Sequence, residues 1–411
     1  MYALKKSLAL SIALGLAACS LAGEGPDSTG PDTGHAAIGV GEHYGDGSDP
    51  MAHIAYLSSD TMKGRNSPSP DLNNAASYIR TFLGNYGLTG PNPSDPNGPY
   101  AQSFTLSTFN KTELHSDAEA PHAFGVTLFE EGFYLDKKMS AAAQDAVSHR
   151  YEESMAAKGV AVGAHKTRSF AELSAAATVS GTAQNVLGKL AGTGAKSGEI
   201  IVVMAHLDHL GTSSSGTVFN GADDNASGSA TILSSIPALF ALQQSGQLNR
   251  SVLFLWTAAE EKGLVGAQYF VDHPIAGIGL SNIAGVINMD MVGRWDDQRL
   301  SIIDTTSSGS ANYFRALLDS ANASMSDPFD KMNRDINGYI DRQDGAAFLK
   351  AGKDVLFIFE GLSNPAGGGD LIPEYHATAD DIDKIIADNG GQKVRRVRDL
   401  LVNVVKLAVN R

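Results

Sequence analysis

The chain has 411 residues, 43% of them apolar and 18% charged, which is the make-up of an ordinary globular protein with room for one large domain or two smaller ones. The formal charge is −14, from 45 acidic against 31 basic side chains, and no long block of Lys and Arg offers a phosphate-binding surface, so nucleic acid is excluded as the expected partner. A single cysteine excludes an intramolecular disulfide.

Residues 1–19 have the layout of an export signal. Lys5 and Lys6 precede an apolar stretch from Leu8 to Ala18, shorter than the ~20 residues that a membrane-spanning helix needs. Leu16-Ala17-Ala18-Cys19 resembles the bacterial lipobox, in which the cysteine is diacylated and becomes the first mature residue. Ser20 is not the aspartate that commonly retains such proteins in the inner membrane. The expectation is an exported body tethered through lipidated Cys19 to the outer membrane and facing the periplasm, with a periplasmic or secreted protein as the alternative. Residues 20–48 are rich in Gly, Pro, Ser, Thr and Asp and read as a flexible linker. One domain, 49–411, follows.

Order is expected to begin near Met51. Asp71 is placed as the N-cap of a helix that carries Ala75, Ile79, Leu83 and Tyr86 and ends at Gly87. Gly90 to Pro99 is a loop. Residues 107–180 carry no motif; Met139 to Ala157 patterns as a helix, and the stretch reads as an insertion, either a lid over the site or a plain surface excursion. Strand-like runs then recur at Ile200–Ala205, Ser251–Thr257, Ile283–Met289, Leu300–Asp304 and Val355–Glu360. Helical patterns alternate with them at about 226–245, 263–273, 309–323 and 342–351. A long amphipathic helix with Val394, Val397, Leu401, Val404, Val405 and Ala408 closes the chain. Such alternation predicts an α/β fold: a mixed, mostly parallel central sheet with helices on both faces.

The chemistry gathers where the strands end. Ile200–Ala205 runs into His206, Asp208 and His209, and a second polar cluster, Asn220 to Asn225, follows a Gly/Ser loop. His206 and Asp208 stand at i and i+2 and share a face if the strand continues. The next strands stop at Glu260-Glu261, at Asp290 and at Glu360, and Tyr375-His376 with Asp380 lies further on. Open α/β sheets place their ligand chemistry at these carboxyl ends. Buried carboxylates cost several kcal/mol each unless neutralised, so a rim of them calls for cations. His206, Asp223, Glu261, Asp290 and His376 supply two imidazoles and three carboxylates. Five ligands exceed the three, plus water, typical of one catalytic zinc. Two Zn²⁺ balanced by three carboxylates and a hydroxide, at roughly 3.5–4 Å separation, satisfy the count.

This set, with Gly-Ala-Asp223-Asp224-Asn-Ala-Ser-Gly and Tyr375-His376-Ala-Thr-Ala-Asp380 in order, resembles the bacterial leucyl-aminopeptidase family of co-catalytic di-zinc exopeptidases across about 183–390. Tyr56-Leu-Ser-Ser-Asp60 through Gly64-Arg65 and the helix after it resemble that family's N-terminal portion. The resemblance implies a zinc exopeptidase-like domain over 49–411. It implies that Asp223 bridges two zinc ions, with His206 and Asp290 completing one site and Glu261 and His376 the other. Asp208 would orient His206, Glu260 would be the general base, and the Asp223–Asp224 peptide would be cis. The implied reaction is hydrolysis of the N-terminal peptide bond of peptides with a free N-terminus, by a metal-bridging hydroxide whose proton passes through Glu260. Tyr375 is placed either on the tetrahedral oxyanion or as packing beside His376, and Asp380 as a cap of the final helix.

Competing chemistries find less support. No Gly-x-Ser-x-Gly elbow and no His-Glu-x-x-His helix is present. The same scaffold serves glutaminyl cyclases, acyltransferases with a single zinc, which metal stoichiometry and product mass separate from a peptidase. The third reading is a non-catalytic surface-tethered binding lipoprotein with structural or absent metals, for which inactivity toward aminoacyl-arylamides with zinc supplied would count. Side-chain preference and metal identity are not written in the ligands.

Overall fold

The computed structural model describes residues 47–108, 132–134, 141, 144–145, 148, 169–213, 215–306 and 308–411. The signal and Cys19, all but the last two residues of the linker, and most of 107–180 with most of the Met139–Ala157 helix lie outside them. In chain order the described elements are α1 (Pro50–Leu57), α2 (Pro70–Asn85), β1 (Ala101–Thr108), β2 (Gly132–Tyr134), α3 (Phe170–Ala176), β3 (Thr178–Leu190) and β4 (Ile200–His206). The short hairpin β5 (Gly211–Thr212) and β6 (Val218–Phe219) follows, then α4 (Gly228–Gln244), β7 (Ser251–Thr257), α5 (Val265–Asp272), β8 (Ile283–Met289) and β9 (Arg299–Ile303). The chain ends with α6 (Phe314–Ala323), β10 (Lys331–Asn333), α7 (Gly345–Lys350), β11 (Val355–Phe359), α8 (Ile382–Asn389) and α9 (Gln392–Asn410).

Among the described residues nine strands form one mixed sheet in the order β10-β9-β11-β8-β4-β7-β3-β1-β2. Its centre, β11-β8-β4-β7, is parallel, and the pairs β11·β9, β7·β3, β3·β1 and β1·β2 are antiparallel. Every residue of β4 and β7 is buried, as expected of strands covered on both faces. The alternation of a strand divides β4 cleanly: Ile201, Val203 and Ala205 pack into the core under α1, α2, α4 and α9, while Ile200, Val202 and Met204 pack under α5 and α7. Helices therefore lie on both faces, the expected α/β architecture.

Four strands of the sheet were not legible in the sequence, the three-residue β10 and the three at the other edge. β1, β2 and β3 fall in or beside the stretch without motifs, and β3 extends the sheet antiparallel to β7, from Val186 opposite Trp256 to Leu190 opposite Val252. Smaller corrections have local causes. Ser69, not Asp71, caps α2, because Pro70 takes the first helical position and Ser69 accepts the Leu72 N–H at 3.0 Å. The helix expected from 309 begins only at Phe314. Among the described residues no helix is long and apolar enough to cross a membrane.

Candidate metal centre

Parallel register carries the strand ends to one level. His206, the last residue of β4, pairs with Thr257 of β7, and Met204 pairs with Asn288 of β8. The turn after β7 therefore delivers Glu260 and Glu261 beside His206, and Asp290, just beyond β8, meets it from the other side. His376 enters from the long connection after β11. Ala259 (φ 57°) and His376 (φ 54°) both adopt left-handed backbone, a conformation that recurs where side chains must be aimed sharply.

The imidazoles and carboxylates interlock. His206 Nε2 stands 3.3 Å from Asp224 Oδ1 and 3.2 Å from Asp290 Oδ1. His376 Nε2 stands 3.1 Å from Asp224 Oδ2 and 3.1 Å from Glu261 Oε2. One Asp224 carboxylate thus faces both histidines. His206 Nδ1 lies 3.1 Å from the Asp208 carbonyl; a carbonyl only accepts, so Nδ1 carries the proton and Nε2 turns toward the carboxylates. The Asp208 carboxylate itself accepts the Glu260 N–H at 3.1 Å. Asp208 orients His206 through its backbone oxygen, not through the side chain that the sequence pointed to.

The largest correction concerns the Asp-Asp pair. Asp223 turns away from the cluster: its Oδ1 accepts the Gly293 N–H at 2.8 Å and its carboxyl lies against that of Glu360. The residue converging on the two imidazoles is Asp224, and the cis peptide is Asp224–Asn225, one position later than the resemblance implies. Asp380 holds this turn. Its carboxylate accepts the Asp223 N–H at 3.0 Å and the Asp224 N–H at 3.0 Å, while the neighbouring Asp381 caps α8. Glu360 also leaves the rim, accepting the Arg294 N–H at 2.5 Å beneath Asp223.

Arg65 locks the site from below. The fully buried guanidinium donates to the carbonyls of Leu57, Leu207 (2.9 Å), Asn220 (2.8 Å) and Gly221 (3.0 Å), so one side chain ties α1 to both metal-facing turns. Gly64 before it sits at φ +66°, where a Cβ would stand 2.3 Å from the carbonyl oxygens of Gly211 and Phe219. The Gly-Arg pair is thus a backbone clamp.

Electrostatics test whether cations fit. Burial drives the Glu260 carboxyl well above its usual range, opposed by His206 and reinforced by Asp344, Glu261 and Asp290. Burial likewise lifts Asp208 to about 7 and Asp344, which accepts the Thr257 hydroxyl behind Glu260, to about 6. Burial would raise Asp224 too, but the imidazoles of His206 and His376 beside it override that and hold the carboxylate well below the normal range. Asp224 Oδ2 nonetheless has no hydrogen bond of proper geometry. Carboxylate oxygens and imidazole nitrogens this close, with an excess of negative charge, form a donor set suited to zinc or a similar divalent ion. Two overlapping groups lie within 4.8 Å: His206, Asp224 and Glu261, and His206, Glu260 and Asp290. His209, which the sequence left without a role, and Asp344 complete the surround; neither lies in a motif that would have marked it.

A cavity opens on this cluster. His206, Asp224, Glu260, Asp290 and His376 form one wall, and Met291, Ile336, Phe357, Phe359 and Leu371 form an apolar one. Tyr375, its ring stacked on His376 with centroids 3.7 Å apart, and Arg342 also line it. A more open groove along α9 is lined by Arg395, Arg396 and Arg398 and holds no such convergence of acids and imidazoles.

Residues 185–401, just over half the chain, match the model of peptidase family M28. The chain belongs to peptidase family M28. Its curated relatives include a probable leucine aminopeptidase of Arthroderma otae, 33% identical over 196 residues that cover 46% of this chain and 50% of the relative. Another, of Arthroderma benhamiae, is 30% identical over the same coverage. The chain spans about half the length of these curated relatives. They are fungal, so they do not support the bacterial qualifier of the resemblance. In structure the M28 chain is similar to a zinc aminopeptidase from Bacillus subtilis (TM-score 0.57, 17% identity, covering 88% of this chain and 95% of that one). It is also similar to a glutaminyl cyclase of an Acidobacteriales bacterium (TM-score 0.51, 14% identity, 95% and 100% covered). At such identities the likeness establishes the shared fold.

Proposed function

We propose that this M28 chain is a zinc-dependent aminopeptidase with two metal sites sharing Asp224. The observation that carries the reading is the position of the Asp224 carboxylate, 3.3 Å from His206 and 3.1 Å from His376, with Asp290 and Glu261 closing the two ends. His206 and Asp290 would hold one ion, Glu261 and His376 the other, and Asp224 both. Bound there, zinc would polarise the scissile carbonyl and acidify a water molecule. The matched leucine aminopeptidases support the class of reaction.

The remaining chemistry belongs to the chain's own side chains. Glu260 lines the cavity beside Asp290 and has the raised affinity for a proton that a base near neutral pH requires. It takes a proton from the attacking water and returns it to the leaving amine. The Asp208 carboxylate, by accepting the Glu260 N–H, fixes the backbone from which Glu260 projects. Tyr375 stands in the cavity wall, where its hydroxyl would donate to the developing oxyanion. The acidic end of the cavity favours a substrate with a free ammonium group, and the apolar wall receives its side chain.

Glu260→Gln tests the reading directly. The variant is expected to retain zinc and lose about 10²–10⁴ of its turnover. Loss of zinc in that variant would make Glu260 a ligand, and an unchanged rate would remove it from the chemistry. Cleavage of leucine arylamide but not its acetylated form supports an aminopeptidase; a pyroglutamyl product from an N-terminal Gln peptide would make it a cyclase. Export and lipidation at Cys19 are part of the same proposal, and Cys19→Ala is expected to move the protein from the membrane to the soluble fraction.

A further inference from the structure

Glu261 has two oxygens, and only one of them faces His376. Its Oε2 lies 3.1 Å from His376 Nε2, while Oε1 lies 2.7 Å from Nδ1 of His209, a completely buried imidazole three residues beyond His206. A carboxylate oxygen only accepts, so His209 holds its proton on Nδ1 and donates it to Glu261. The same Nδ1 passes 3.8 Å from Asp224 Oδ2. His209 Nε2 has no hydrogen-bond partner among the described residues. The ring is wedged against Gly221, where a Cβ would stand 2.6 Å from the imidazole carbons. Gly221 belongs to the turn clamped by Arg65, and the His209 N–H is bonded to the Arg65 carbonyl at 3.3 Å. Backbone and ring are therefore both held.

We infer that His209 is a positioning residue for the metal site built on Glu261 and His376: it occupies one carboxylate oxygen of Glu261 so that the other alone is presented to the ion. This rests on the two-site reading above. An unrestrained glutamate would rotate or bind through both oxygens, and groups that orient ligands in this way typically contribute 10–100-fold to metal affinity. The sequence motifs mark His206 and Asp208 and pass over His209.

The test is zinc affinity and stoichiometry by competition with a chromogenic chelator on the full chain, for wild type, His209→Leu and His209→Asn. In the Asn variant the amide nitrogen stands where Nδ1 stood and can still donate to Glu261. The inference expects wild type to bind two zinc ions and the Leu variant to bind one of them 10–100-fold more weakly. The Asn variant should recover to within a few-fold of wild type, with the metal-free melting temperature following neither change. Should the Leu variant fail to fold, ¹⁵N-imidazole NMR of the zinc-loaded wild type decides the matter. An Nδ1–H tautomer at His209, assigned by its absence in the Asn variant, supports the inference, and an Nε2–H tautomer overturns it. Two zinc ions bound equally well in all three proteins overturn this inference alone. No zinc bound by wild type overturns it together with the two-site reading.

Discussion

Two adjacent aspartates occupy opposite sides of one turn, and exchanging each for asparagine separates their roles. Asp224 faces both His206 and His376, at 3.3 and 3.1 Å, so Asp224→Asn removes the one carboxylate common to both sites. Asp223 meets the cluster only indirectly, through the Gly293 N–H at 2.8 Å and the Glu360 carboxyl that lies against it. Removing a supporting group of that kind costs about 10–100-fold in metal affinity, or about 1.4–2.8 kcal/mol at 1.4 kcal/mol per decade. Loss of the shared ligand is expected to exceed that range and to affect both ions together. The measurement is zinc retained after dialysis against graded chelator, read with the aminopeptidase rate on a leucine arylamide. Asp224→Asn should come out essentially free of zinc and inactive, and Asp223→Asn loaded at moderately higher zinc. The reverse order, with Asp223→Asn empty and Asp224→Asn loaded, would refute the geometry on which the site assignment rests.

Further predictions follow from buried groups elsewhere. Arg65→Met leaves four carbonyls without their donor in a buried place and is expected to destabilise the fold by about 3–5 kcal/mol in denaturant titration. Arg65→Lys should rescue little, since an ammonium cannot reproduce the planar fork; full rescue would show that charge alone matters. His53 is fully buried between Gly47 O (2.8 Å) and the Tyr78 hydroxyl (2.5 Å), and burial lowers its pKa from 6.5 to about 4. The unfolded chain therefore binds this proton first on acidification. Stability from this group is complete above about pH 6.5 and is lost as pH falls toward 4, by up to about 3 kcal/mol. Unfolding free energies at pH 7 and pH 5 should differ less in His53→Gln than in wild type, and equal differences would show that His53 is not the group responsible.

Much of the parallel sheet was legible because buried strands advertise themselves. Ser251–Thr257 and Ile283–Met289 are mainly apolar runs, and their bounds agree with the structure. The strands beyond β7 were not: β3 mixes Gly, Thr, Gln and Asn with its apolar residues, since part of its environment is polar, as at Asn185, whose amide bonds Gln102 and the Gly266 carbonyl. Side-chain direction within tight turns was equally hidden. Asp223 and Asp224 are chemically identical, and the choice between them is made by Asp380 and Gly293, 157 and 70 residues away in the chain.

Residue type and order alone determined that acids and imidazoles follow apolar strands, because period and polarity are local properties of a chain. Only the tertiary structure decided which of those groups meet. Whether a carboxylate joins the imidazoles, as Asp224 and Glu261 do, or turns away beneath them, as Asp223 and Glu360 do, depends on backbone hydrogen bonds from distant segments. His209 became visible for the same reason: a 2.7 Å contact with Glu261 spans 52 residues of sequence, and it exists only once β4 and β7 lie side by side.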